Sequence, residues 1–161
     1  MADVFDRAKR SEVMRRIRSA NNQKTEISLL QFFRAHKITG WRRRSNLYGH
    51  PDFVFPRLRL AVFVDGCFWH LCPLHAVMPK TRRMFWKKKL LGNRQRDKVV
   101  TAELKRKGWR VLRIWEHELK LKYHARLLKK IHNALAPAPV STSSRAKGDS
   151  RAHGATRIHR R

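Results

Sequence analysis

The chain has 161 residues, enough for one domain around a single core. Its 39 Lys and Arg against 11 Asp and Glu give a net charge of +28 and a pI near 11.7, which points to a polyanion, nucleic acid first, with a membrane surface the weaker option. No run approaches transmembrane length and Met1–Asp6 lacks the apolar stretch of a signal peptide, so a cytoplasmic chain is expected, in which two cysteines favour a metal or reduced thiols over a disulfide.

Residues 1–20 read as a basic arm with a short helix in which Val13, Met14 and Ile17 share a face. Residues 25–36 predict a second helix, with Ile27, Leu30 and Phe33 inward, Glu26 in the first turn where the helix dipole favours an anion, and Gly40 as its stop. Trp41–Arg44 reads as an edge strand. Gly49-His50-Pro51 turns into the apolar Asp52–Phe55, Pro56 stops that strand, and Leu58–Val64 returns beside it as a hairpin. Further on, Thr81–Leu91 and Arg94–Lys107 predict two helices separated by Gly92-Asn93. Gly108 closes the second, and Trp109–Trp115 predicts a strand that runs parallel to the central one, as in a crossover unit. Leu119–Leu135 predicts an amphipathic helix with Tyr123, Leu127, Leu128, Ile131 and Leu135 inward. Residues 136–161 form a basic, low-complexity tail expected to be disordered. The domain proper is therefore expected over 21–135, in the α/β class, with a small mixed sheet flanked by helices.

The chemistry concentrates in Val64-Asp65-Gly66-Cys67-Phe68-Trp69-His70-Leu71-Cys72-Pro73-Leu74-His75. Twelve residues carry two thiols, two imidazoles, a carboxylate and an aromatic pair, at the point where a buried strand gives way to a loop. Thiolate and imidazole at short spacing suit Zn²⁺. Asp52, 13 residues before Asp65, starts one strand of the hairpin as Asp65 ends the other, so both carboxylates can approach one site near the Val64 carbonyl. Oxygen ligands of this kind suit Mg²⁺, which bridges substrate phosphate. Turn preferences alone would make Asp52 a cap or turn residue; it gains weight from Glu26, His70 and the overall charge. His50 stays open.

The chain resembles the very-short-patch repair (Vsr) endonucleases, a family related to the restriction-endonuclease fold. The resemblance rests on Arg10–Arg18, Thr25-Glu26, Gly49–Phe55, Val64–His70, Thr81–Trp86, Asn93–Asp97 and Gly108–Glu116, in family order over residues 1–120. It implies that Asp52 is the magnesium carboxylate with the Val64 carbonyl as second ligand. His70 is implied as general base, and Glu26 as an acid that holds water at the metal. Zinc is implied to be structural, held by Cys67, Cys72, His75 and His117, with His117 stapling the Trp115 strand to the loop. Phe68, Trp69 and Trp86 match an aromatic wedge that enters the duplex beside the mismatch. Two departures stand out: Phe63-Val64-Asp65 lacks the Lys usual in restriction-type nucleases, and Asp65, grouped here with the catalytic residues, stands where some members carry His.

The function so implied is nicking of one strand of double-stranded DNA 5′ to the thymine of a T·G mismatch left by 5-methylcytosine deamination. The enzyme would work as a nucleoid-associated monomer, linked to a cytosine-5 methyltransferase system and mismatch-repair factors. Two alternatives remain: a nuclease of the same fold with a different trigger, and a non-catalytic, zinc-stabilised DNA-binding module.

Overall fold

The computed structural model describes residues 25–137; the expected basic arm and all but the start of the tail lie outside them. Helix α1 spans 25–35 and is followed by strands β1 (Arg42–Arg43), β2 (Phe53–Phe55) and β3 (Leu60–Asp65). Helix α2 (Arg83–Arg106), strand β4 (Arg110–Trp115) and helix α3 (His124–Leu135) complete the order. The strands form one mixed sheet in the order β1-β2-β3-β4. The hairpin is present, with Phe53 opposite Val62 and Phe55 opposite Leu60. So is the parallel crossover, with Leu60 opposite Arg110 and Asp65 opposite Trp115.

β3 is apolar along its length because both of its faces are covered. Leu60 and Val62 pack with Leu29, Phe33, Ile114, Leu127 and Ile131 on the α1/α3 side, while Ala61 and Phe63 meet Val100 and Leu104 of α2 on the other. The alternation of side chains along a strand therefore sends Asp65 towards α2.

Three expectations need correction. The inward residues of α1 are Leu29, Leu30, Phe32 and Phe33, whereas Ile27 is 44% exposed. The helix also ends before Gly40. Ile38 N–H donates to the Phe33 carbonyl and Lys37 N–H to that of Arg34, with Lys37 left-handed at φ 53°, a Schellman stop in which Lys stands where Gly is usual. Finally, the two helices expected around Gly92-Asn93 are one, 24 residues long. A lone exposed Gly costs an α-helix only about 1 kcal/mol, and Asn93 uses its side chain elsewhere. α3 begins at His124, after two short 3-10 turns that hold Tyr123, and buries Leu127 and Ile131 as expected.

Candidate active site and metal cluster

Three groups of side chains gather at the carboxyl end of β3. The first is centred on Asp52, where β2 begins. Its carboxylate accepts a hydrogen bond from the Val64 N–H at 2.8 Å, replacing a strand partner that β2 is too short to supply. The amide and carbonyl of one strand residue face the same edge, so the Val64 carbonyl faces the Asp52 side as well. Burial pushes the Asp52 carboxyl up to about 6, opposed by the Val64 hydrogen bond and reinforced by the charges of Glu26 and Asp65. Glu26 lines the same cleft, about 260 Å³, with Arg44, Ser45, His50 and Asp52, and is fixed by Arg43 Nε at 2.6 Å. His50 thus belongs beside Asp52 and Glu26, and its backbone is left-handed at φ 50°.

The second group joins the loop to α2 and β4. His70 Nδ1 lies 2.6 Å from Asp97 Oδ2 and 3.7 Å from Asp65 Oδ1. Asp65 is 3% exposed, and Arg113 grips both of its oxygens at 2.6 Å through Nε and Nη2. The same Nη2 reaches Asp97 Oδ1 at 2.8 Å. Burial works against ionisation of Asp97, but His70 and Arg113 outweigh it and hold the carboxyl below its usual range. Asp65 is therefore close enough to disfavour ionisation of Asp52, yet its own oxygens serve Arg113.

Asp97 and Arg113 have no assigned role in the sequence reading, where they pass for charges on a helix and a strand. A signal for Asp97 exists in the spacing of Trp86, Leu90, Asn93, Asp97, Val100 and Leu104, which places all six on one face of α2. From that face Asn93 donates to the Trp69 carbonyl at 3.1 Å, and Val100 packs so closely on Gly49 that a Cβ there would collide with it.

The third group is the Cys/His cluster. One ligand atom from each of Cys67, Cys72, His75 and His117 lies within 4.8 Å of all the others. Cys67 Sγ is 3.3 Å from His117 Nδ1, and Cys72 Sγ is 3.6 Å from the same nitrogen and 3.7 Å from His75 Nδ1. A tetrahedral site with Zn–S near 2.3 Å and Zn–N near 2.0–2.1 Å has S···N edges of about 3.6 Å, so the donor set and its spacing fit a four-coordinate metal. Burial, with His75 beside it, lowers the His117 imidazole from its ordinary value, favouring the neutral form that ligates. Burial also pushes the Cys67 thiol up to about 11, and a cation bound in the cluster would reverse that, since a coordinating thiol loses its proton outright. Glu116 steadies the loop by accepting from Cys67 N–H at 3.2 Å.

Between these groups, Phe68, Trp69 and Trp86 form a partly exposed aromatic cluster, with ring centroids 5.1–6.0 Å apart. None of the three belongs to either core. Phe85 extends it, 5.4 Å from Trp86 and 60% exposed. Exposed Arg83, Lys87, Lys88, Arg94, Arg96 and Lys98 lie along the same helix.

The family model described as DNA mismatch endonuclease Vsr matches residues 2–74. The nicking enzyme V.XorIIP of Xanthomonas oryzae pv. oryzae is 40% identical over 126 residues, covering 74% of this chain and 88% of that protein. The chain belongs to the Vsr family. The DNA mismatch endonuclease Vsr of Escherichia coli K12 is 38% identical over 122 residues, covering 74% of this chain and 77% of its own. The type II nicking enzyme V.NaeI of Lentzea aerocolonigenes is 53% identical over a shorter stretch, 42% of this chain and 41% of that protein. Among the described residues of this Vsr-family chain, no helix is long and apolar enough to cross a membrane.

Proposed function

We propose that the protein is a Mg²⁺-dependent DNA endonuclease that nicks one strand 5′ to the thymine of a T·G mismatch. The observation that carries this reading is the loop from Asp65 to His75, which places His70 on Asp97 and Phe68-Trp69 against Trp86, directly after the strand whose Val64 amide meets Asp52. A group able to take a proton, an oxygen-lined cleft and an aromatic surface are thereby built from one stretch of chain.

The steps follow from the residues. Exposed Lys and Arg hold backbone phosphates, giving affinity without sequence information. Phe68, Trp69 and Trp86 insert between base steps, where unstacking costs a few kcal/mol and less beside a mismatch. An ionised Asp97 can only accept, so Nδ1 of His70 carries the hydrogen and Nε2 accepts the proton of the attacking water. Asp52 and the Val64 carbonyl offer oxygen donors for Mg²⁺, with Glu26 placed to hold water at the metal, and the ion when bound would supply charge stabilisation for displacement at phosphorus. Cys67, Cys72, His75 and His117 would hold structural Zn²⁺, filling four positions and leaving none for substrate. The proposed setting is the bacterial cytoplasm at the nucleoid, as a monomer, beside a cytosine-5 methyltransferase system and mismatch-repair factors.

The names of several relatives, type II nicking enzymes, favour a second reading in which nicking serves a restriction system with its own flanking sequence. Strand-resolved cleavage of T·G and matched duplexes in varied flanks tests both. Nicking only at T·G supports the first reading, and equal nicking of matched duplexes overturns it.

A further inference from the structure

We propose that Asp65 and Arg113 form a clamp that positions the His70–Asp97 pair, and that Asp65 serves this clamp rather than the metal. The inference rests on reading His70 as the proton acceptor.

The contacts form a chain in which Nη2 of Arg113 serves both carboxylates. The two oxygens of Asp65 take Nε and Nη2 of Arg113, an arrangement that fixes the plane of the guanidinium. The ring of Phe63 lies against the guanidinium, its centroid 5.0 Å from the guanidinium carbon. Held so, Nη2 meets Oδ1 of Asp97 and leaves Oδ2 of the same carboxylate to His70 Nδ1. The orientation of the imidazole is thus set by three side chains from β3, β4 and α2.

Asp65, His70 and Asp97 lie close enough together to hold a cation, but the guanidinium already stands there. A divalent ion bound by Asp65 would face that positive charge at contact range, in surroundings where Coulomb terms are strong. Asp65 is also 3.7 Å from His70 Nδ1, beyond hydrogen-bond reach, so its charge faces the ring but its hydrogen bonds reach the imidazole only through Arg113.

The test compares wild type with Asp65→Asn, Arg113→Lys and Arg113→Gln, with Asp97→Asn as reference, all as full-length zinc-loaded protein. Single-turnover nicking is measured across a Mg²⁺ titration, and the His70 Nδ1–H resonance is followed by ¹⁵N NMR without DNA or Mg²⁺. Asp65→Asn is expected to slow nicking by about 10–100-fold at an unchanged half-saturating Mg²⁺ concentration. Its His70 signal should move towards that of Asp97→Asn while the amide spectrum stays folded. Arg113→Lys, which keeps the charge and loses the fork, should fall between wild type and Arg113→Gln. If Arg113→Gln does not fold, the other two variants decide. A half-saturating Mg²⁺ concentration raised about tenfold or more in Asp65→Asn, with the His70 signal unmoved, would make Asp65 a ligand and overturn the clamp. So would wild-type rates with an unmoved signal. Should the wild-type protein nick no duplex, the nuclease reading fails by itself, and the NMR arm still decides the clamp.

Discussion

The amide of Val64 donates to the carboxylate of Asp52 across 2.8 Å, one residue before β2 begins. Hydrogen bonds from the Val64 amide and from Asp52's own backbone only partly offset burial, and the carboxyl rises from 3.8 to about 6. A raised native value means that the folded chain binds this proton more tightly than the unfolded chain does. The stabilisation is then complete below about pH 4 and is lost as pH rises through 6. Metal-free protein should therefore lose roughly 3 kcal/mol from well below pH 3.8 to well above pH 6, at 1.36 kcal/mol per unit, and about half of that between pH 5 and 7.5. Asp52→Asn should abolish nicking yet unfold at higher urea than wild type at pH 7.5 without Mg²⁺. Urea titrations at pH 5 and 7.5 measure the difference, which added Mg²⁺ should narrow for wild type alone.

His70→Ala should slow nicking by about 10²–10⁴-fold, the usual worth of a general base, with mismatch binding retained. Asp97→Asn should approach the same loss, because an amide at Oδ2 can donate to Nδ1 and turn the imidazole to the wrong tautomer. Single-turnover cleavage beside a binding isotherm separates the two effects; a wild-type rate for His70→Ala would remove it from the proton path.

The aromatic cluster predicts a loss of discrimination rather than of grip. Trp69→Ala and Trp86→Ala should bring T·G and matched duplexes closer in affinity, while the salt dependence of binding stays the same. That dependence follows phosphate contacts, with a log–log slope of about −0.9 for each one neutralised. Fluorescence anisotropy on both duplexes at several salt concentrations provides the comparison.

Elemental analysis of undialysed protein should find about one zinc per chain. Cys72 is 1% exposed and Cys72→Ala should remove that zinc, lower the thermal midpoint and free the loop that carries His70, since metal and folding free energies are coupled. A folded, active protein without zinc would show that the cluster stands on hydrogen bonds alone.

Gly49, left-handed at φ 82°, sets the approach of the Asp52 turn to α2. Gly49→Ala should destabilise by about 1–3 kcal/mol through overlap with Val100, plus the backbone term. Adding Val100→Ala should recover the overlap share, and chemical denaturation of the three variants would show it.

The hairpin and the parallel strand are legible in the sequence because Pro56 and Gly108 bound short apolar runs with no other reading. Helix α2 is misread for a physical reason. Gly92 looks like a break, but it sits on the outer surface with nothing within 4 Å of where a Cβ would be, and a 24-residue helix tolerates it. In the site, Asp52 stands out as an acid entering an apolar strand of a basic chain, and His70 as part of a dense motif. Arg113 does not, because among 39 basic residues a single Arg on a strand carries no mark until its two carboxylate partners are placed around it.

The stripe of six on α2 makes one rod serve as a ruler. Trp86 and Asp97 are eleven residues apart, about 16 Å along the axis, so the aromatic surface and the orienting carboxylate keep a fixed span and a fixed angle. A residue inserted between them would turn everything beyond it by about 100°, taking Asp97 from His70 and Val100 from Gly49 at once. The stretch from 86 to 100 is therefore fixed in length, and it can change only by substitution along it.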